Sequence, residues 1–202
     1  MKFTTNLFSQ ILQIVPRLSF ARLVNQCQAE RNAKGFSSWD QFVAMLFCQL
    51  AQSKSLREIS DGLAVTCGKL NHLGLRAAPN KSTLSYANAH RPWQLYQNIF
   101  FHLRDFCREE SPGKKKKCRF KLLSLDSTTI DLCLSLFPWA DFRQTKGAVK
   151  LHLLLDHDGY LPDFAVITDG KAHDVSTARS FTLPAGSIVA LDRAYCDFEL
   201  FW

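Results

Sequence analysis

Two aspartates stand where short apolar runs stop. Lys121, Leu122, Leu123, Ser124 and Leu125 lead into Asp126, and Gly186, Ser187, Ile188, Val189, Ala190 and Leu191 lead into Asp192. Both runs are β-prone and too short for helices. Desolvating an unpaired carboxylate costs several kcal/mol or raises its pKa, so Asp126, read as the end of a buried strand, needs a cation or a set of donors. Two strands that each end in Asp bring both carboxylates to the C-terminal edge of one sheet, where α/β sheets hold ligands. Hard oxygen donors suit Mg²⁺ or Mn²⁺ rather than zinc, and no His/Cys cluster competes for the role. The alternative is that each Asp caps the element after it, a reading that the pair weakens more than either residue alone.

The elements that must position this pair follow from periodicity. The first 110 residues read as helical: 3–15 up to Pro16, 18–30, a helix capped by Ser37 or Ser38 with Phe42, Val43, Leu46, Phe47 and Leu50 on its apolar side, and a short helix at 55–63. Ser55 and Glu58 form a capping box, and Gly62, Gly68 and Gly74 punctuate the end of that helix and the loops after it. A Ser82-capped helix then stops near Pro92, and 93–107 continues helical with Leu95, Ile99, Phe100, Leu103 and Phe106 on its core side. Lys81, Ser85, Tyr86, Asn88, His90 and Arg91 are side-chain types that contact phosphates and base edges, in a loose helix-turn-helix outline. They serve equally as a solvated face beside a core of Leu84 and Trp93.

Ser111, Pro112, Gly113 and the run Lys114, Lys115, Lys116 and Lys117 mark a linker, with domains at 1–110 and 120–202 on either side of 111–119. The lysine run suits DNA backbone, although such runs are usually only solvated. Beyond it the chain turns β-rich. Phe137, Pro138 and Trp139 form a break, 149–155 is a strand, Asp158 and Gly159 signal a hairpin, 161–168 returns, His173 and Asp174 open a short helix or loop, and 186–191 is the last strand. Lys150 and His152 share one strand face, either toward DNA or as the wet side of the sheet.

Composition sets limits on function. The chain has 202 residues, 47% of them hydrophobic, enough for one large or two small cores. No apolar run approaches the ~18 residues of a membrane span, and the first ten residues are not a secretory signal. Seven scattered cysteines, never spaced as CxxC, read as reduced cytosolic thiols. Residues 1–121 carry 19 Lys/Arg against 7 Asp/Glu, a balance of +12, whereas 122–202 carry 6 against 11, a balance of −5. A basic helical part suits phosphate binding, and an acidic part suits cations or simple solvation.

The blocks LLSLDSTTIDL, KLHLLLDHDGYLPDF, KAHDVS and IVALDRAYCDF resemble, in order, those of the DDE transposases of bacterial insertion sequences, in the insertion sequence four group. FSSWDQFVAMLFCQLAQSKSLREISDGL and KSTLSYANAHRPW are similar to the helical region that precedes the catalytic domain in one branch of that group. The resemblance implies an α + α/β chain: an N-terminal helical bundle, DNA-binding in character, followed by an incomplete ribonuclease-H-like mixed β-sheet domain. It implies metal-dependent DNA strand cleavage and transfer, with two Mg²⁺ or Mn²⁺ ions in the complete enzyme. The partners implied are double-stranded DNA at transposon ends and target, and further copies of the chain, in the cytoplasm at the nucleoid. Asp126 and Asp192 would be catalytic metal ligands, with His173 and Asp174 supporting, and Lys81, Ser85, Tyr86, Asn88, Arg91, Lys150 and the Lys114–Lys117 run would face DNA.

The family's third carboxylate is a Glu on a later helix well beyond the second Asp, and the only Glu after Asp192 here is Glu199, seven residues on, a poor match to that place. Phe198, Leu200, Phe201 and Trp202 also end the chain in an apolar cluster. The expectation is therefore a truncated transposase with little or no catalysis of its own. The alternative is a catalytically inactive DNA-binding remnant or an inhibitor of transposition.

Overall fold

The computed structural model describes residues 7–31, 33–66, 70–110, 120–132, 141–143 and 146–201. The linker with Lys114–Lys117, the Phe137–Trp139 break and Gly68 lie outside the described residues. The chain divides into two units, Met1–Leu103 and Arg104–Trp202.

In the first unit, local capping decides where helices begin. α1 (Leu7–Gln13) and α2 (Arg17–Gln26) flank Pro16, and α2 stops at Gln26 rather than Glu30 because Gln28 turns left-handed at φ 50°. α3 (Ser38–Leu50) opens with a complete capping box: the Asp40 amide donates to Ser37 Oγ and the Ser37 amide to Asp40 Oδ2. At α4 (Leu56–Val65) the box is incomplete, since Ser55 accepts from the Glu58 amide but the Glu58 carboxylate accepts from the Lys54 amide. α5 (Lys81–His90) is capped by Asn80, which accepts from the Ser82 amide, and not by Ser82 itself. α6 (Gln94–Glu110) completes the helical series, its residues from Arg104 onward belonging to the second unit.

The apolar faces of these helices meet in one core of Phe20, Trp39, Val43, Ala44, Leu63, Leu84, Leu95 and Ile99. Phe20 meets Trp39 edge-on with ring centroids 5.0 Å apart, and the Trp39 indole N–H donates to the Leu73 carbonyl at 2.9 Å. That bond satisfies the polar end of a large buried ring. Gly62 does not end its helix but lies inside α4, where an added Cβ would stand 2.9 Å from the Phe47 ring. It is there so that α3 and α4 can approach. Trp93, expected in the core with Leu84, is 64% exposed.

The second unit is built on a mixed sheet. β1 (Leu122–Leu132) runs antiparallel to β3 (Lys146–Asp156), which carries β4 (Leu161–Asp169) and the short β2 (Asp141–Arg143) on its other edge. Gly159 at φ 97° and Tyr160 at φ 55° make the tight β3–β4 turn. After α7 (Asp174–Ala178), β5 (Ile188–Leu191) pairs with β1 in parallel, from Leu122 opposite Ile188 to Leu125 opposite Leu191. A 3₁₀ turn (Arg193–Tyr195) and α8 (Phe198–Phe201) follow. One face of the sheet is covered: Leu123, Leu125 and Leu154 pack with Ala178 and Tyr195.

Charge fastens the end of α6 to the β3–β4 hairpin. Arg108 Nη2 stands 2.7 Å from Asp163 Oδ1, and Lys121 Nζ lies 3.2 Å from Asp163 Oδ2 and 3.3 Å from Asp156 Oδ2. Arg104 adds a bond to the Asp163 carbonyl at 2.8 Å. Burial alone would push the Asp163 carboxyl up, but hydrogen bonds from Arg108 and Lys121 and their charges outweigh it and hold the group below the usual carboxylate range. None of these pairings is visible in the spacing of the sequence.

Candidate functional site

β1 and β5 place the two aspartates. Because Leu125 and Leu191 are the last register partners of a parallel pair, the next residue on each strand is Asp126 or Asp192, with backbones ~5 Å apart at strand spacing. Asp126 is exposed and lies within β1, which continues to Leu132, so it is not the end of a buried strand and desolvation makes no demand for a partner. What ends beside it is the parallel pairing. Its Oδ1 accepts from the Ser127 amide at 2.8 Å. Asp192 is exposed with extended backbone, and its carboxylate accepts from the Arg193 amide at the start of the 3₁₀ turn.

Behind this pair sits Tyr195, only 1% exposed, at the end of that turn. Burial pushes its phenol up; Ser127 beside it pulls the other way, and the negative charges of Asp174, Asp126 and Asp192 push it further up. All three carboxylates thus act on the Tyr195 phenol. Among the described residues, however, no three His, Cys, Asp or Glu side chains stand close enough to hold one metal ion. The donor set present is two exposed carboxylates on neighbouring backbones. It fits a hard, partly hydrated divalent cation as two of its ligands.

Asp174 opens α7 and is held from below by β3. Lys150 Nζ lies 3.2 Å from Asp174 Oδ1 and also donates to the Ala172 carbonyl at 2.9 Å. His152 is wholly buried, with Nε2 3.0 Å from Thr168 Oγ1 and Nδ1 3.8 Å from Asp174 Oδ1. Thr168 Oγ1 donates to the Asp169 carbonyl, so it accepts from His152 Nε2–H, leaving Nδ1 as a buried acceptor without a hydrogen-bond partner. Burial pushes the imidazole pKa down, Asp174 opposes that, and Lys150 reinforces it. The face shared by Lys150 and His152 is therefore covered, not wet. The side chain of His173 makes no cap bond, and its carbonyl accepts from Ser176 Oγ at 2.7 Å.

Glu199 is turned to another partner, with Oε2 2.5 Å from Arg179 Nη1, while Asp197 takes the other arm of the same guanidinium. Phe198 beside it is 88% exposed.

In the first unit, Lys81, Ser85 and Tyr86 are exposed on α5. Asn88 and Arg91 are engaged internally. Gln41 Nε2 donates to Asn88 Oδ1 at 2.7 Å, and Arg91 donates to the Ser37 carbonyl at 2.8 Å, to Gln41 Oε1 at 3.0 Å and to the Phe36 carbonyl. Arg91 therefore ties α5 to the start of α3. Tyr195 gave no signal of its own in the sequence beyond lying inside a quoted block, and Lys150 and Asp174, each a candidate by itself, gave none of their pairing.

A family model described as a domain of unknown function, DUF4372, matches residues 4–76. The chain is also similar to a probable transposase for insertion sequence element IS5377 of Geobacillus stearothermophilus, at 28% identity over 120 residues. That match covers 58% of this chain and 31% of the relative, so the chain spans about a third of the relative's length. No solved structure matches the chain. Among the described residues no helix is long and apolar enough to cross a membrane.

Proposed function

We propose that the chain is part of an insertion-sequence transposase of the DDE kind, acting on DNA by phosphoryl transfer. Asp126 and Asp192 supply two of the ligands for Mg²⁺ or Mn²⁺ on a ribonuclease-H-like sheet. The observation that carries this reading is the parallel register of Leu125 with Leu191, after which each chain continues into one of the two aspartates. The strand arrangement supports it too: three antiparallel strands, a helix, then a strand returning parallel to the first. So does the likeness to the IS5377 protein, whose name states a transposase. The basic first 110 residues are the DNA-binding part, and the sheet unit is the catalytic part.

The chemistry that bound cations supply is Lewis-acid activation of a water or 3′-hydroxyl and neutralisation of charge on the leaving oxygen. The chain's own contribution is positional. Parallel pairing fixes the spacing of Asp126 and Asp192, and buried Tyr195 with the Lys150–Asp174 pair supports the backbone behind them. Two neighbouring carboxylates repel until a cation neutralises them, which couples ion binding to assembly of the site.

A second reading is favoured by the absence, among the described residues, of a third metal-holding side chain near the pair. In it the protein binds DNA without cutting it. It predicts salt-sensitive DNA retention with no Mg²⁺-dependent strand scission.

Replacing Mg²⁺ by Fe²⁺ with ascorbate and peroxide tests the site, because the bound iron cleaves backbone next to it. Cuts are expected around residues 126 and 192, suppressed by excess Mg²⁺. Cuts elsewhere, or none, contradict the assignment.

A further inference from the structure

The first unit carries a groove of about 750 Å³ between the turn that follows α2 and the exposed side of α5. The volume lies within the ~300–1,000 Å³ of sites that take small organic groups. Tyr86 and His90 line it as a stacked pair, ring centroids 3.9 Å apart and planes 17° from parallel. His90 is anchored, since its Nδ1 is 2.9 Å from the Tyr86 carbonyl one helical turn back. Tyr86, stacked on it, is 65% exposed. A stacked aromatic pair left open to solvent is not explained by packing of the core.

The opposite lip carries Arg31 and Lys34, both exposed, and none of the described lining residues is acidic. Arg91 borders the groove too, but its guanidinium is committed to the carbonyls of Phe36 and Ser37. Two cations across the groove from a stacked π-surface match the two halves of a nucleotide, a phosphate and a base. A ring face can stack only on a base whose own face is free, which the interior of a duplex does not offer. We propose that this groove binds an unpaired nucleotide of a DNA strand, the base stacked on the Tyr86–His90 pair and the phosphate held by Arg31 and Lys34. The choice of DNA rests on the transposase reading above; the stacking geometry does not.

The test uses the full chain and fluorescence anisotropy, with a labelled oligo(dT), a blunt duplex, and the same duplex carrying a short single-stranded overhang, each over a range of NaCl. The single strand and the overhang are expected to bind more tightly than the blunt duplex, with free thymidine monophosphate competing weakly. Tyr86→Ala with His90→Ala should weaken single-strand and overhang binding by about tenfold or more, a larger loss than it causes for the blunt duplex. Tyr86→Trp should retain it, which a misfolded variant would not do. Arg31→Ala and Lys34→Ala should each flatten the dependence of log K on log salt by about 0.7. If the double variant binds the single strand as tightly as the wild type, the groove is not the site, while the transposase reading stands. If the wild-type chain binds no DNA in any form at low salt, both fall together.

Discussion

Leu125 of β1 stands opposite Leu191 of β5 in parallel register, and an exposed aspartate follows each of them. A slip of one residue in either strand would send one carboxylate to the other side of the sheet, so the pairing itself specifies that both share one side. Because both carboxylates are exposed, they contribute little to the fold. Asp126→Asn is expected to change the unfolding free energy by no more than about 0.5 kcal/mol in a urea titration. Asp192→Asn should do the same, since Asn caps as well as Asp, whereas Asp192→Ala should lose about 1 kcal/mol. A large loss from Asp126→Asn would mean that this residue is structural.

Lys150 and Asp174 form an ion pair at 3.2 Å with both side chains mostly covered, so removing one partner strands the other. Lys150→Met is expected to destabilise the second unit by about 2 kcal/mol. Adding Asp174→Asn should restore part of that loss. Amide exchange in β3 and α7 reads the effect, and additive losses in the double variant would argue against direct coupling.

His152 is held below the usual histidine range by its burial and by Lys150, with Asp174 opposing. A depressed pKa means that the folded state prefers the neutral ring. Its contribution to stability is therefore complete above about pH 6.5 and is lost as pH falls through the lowered folded value. In an NMR titration the His152 ring should be less than half protonated at pH 6.5. Lys150→Met should raise its midpoint and Asp174→Asn should lower it. A midpoint at or above the free-histidine value would show that the ring is not enclosed as described.

Asp163 works in the acid range. Held down by Arg108 and Lys121 against its own burial, it contributes stability that is fully present above about pH 4 and is lost as pH falls through its lowered value. Asp163→Asn should make the second unit less stable at neutral pH and flatten its acid dependence below pH ~4. Unfolding curves at stepped pH would show this, and identical acid slopes would contradict it.

The apolar runs that lead into Asp126 and Asp192 were legible because polar residues bound each of them, though β1 continues past Asp126 to Leu132. The Asp158-Gly159 turn was legible because only a few residues accept positive φ. The sequence left Ser37 and Ser38 both open as the cap, and the reciprocal bonds with Asp40 three residues on decide for Ser37. Other features depend on what lies across the fold. Asn80 and Ser82 both cap well, and only the helix's actual start separates them. Alternation put Lys150 and His152 on one face, but their burial follows from Leu154, Leu125 and Tyr195 sharing the covered face. Arg91 looked like a phosphate contact in isolation, and the carbonyls it meets come from residues more than fifty positions earlier. Gly62 read as a stop signal until the Phe47 ring showed what its missing side chain makes room for.

The most direct measurement of the central claim is a Mn²⁺ titration of the purified chain followed by electron paramagnetic resonance, for the wild type, Asp126→Asn and Asp192→Asn. The account predicts a saturable Mn²⁺ signal in the wild type that Mg²⁺ displaces and that either substitution weakens by at least about tenfold, with the fold unchanged. Mn²⁺ binding that both variants retain at wild-type strength would contradict it.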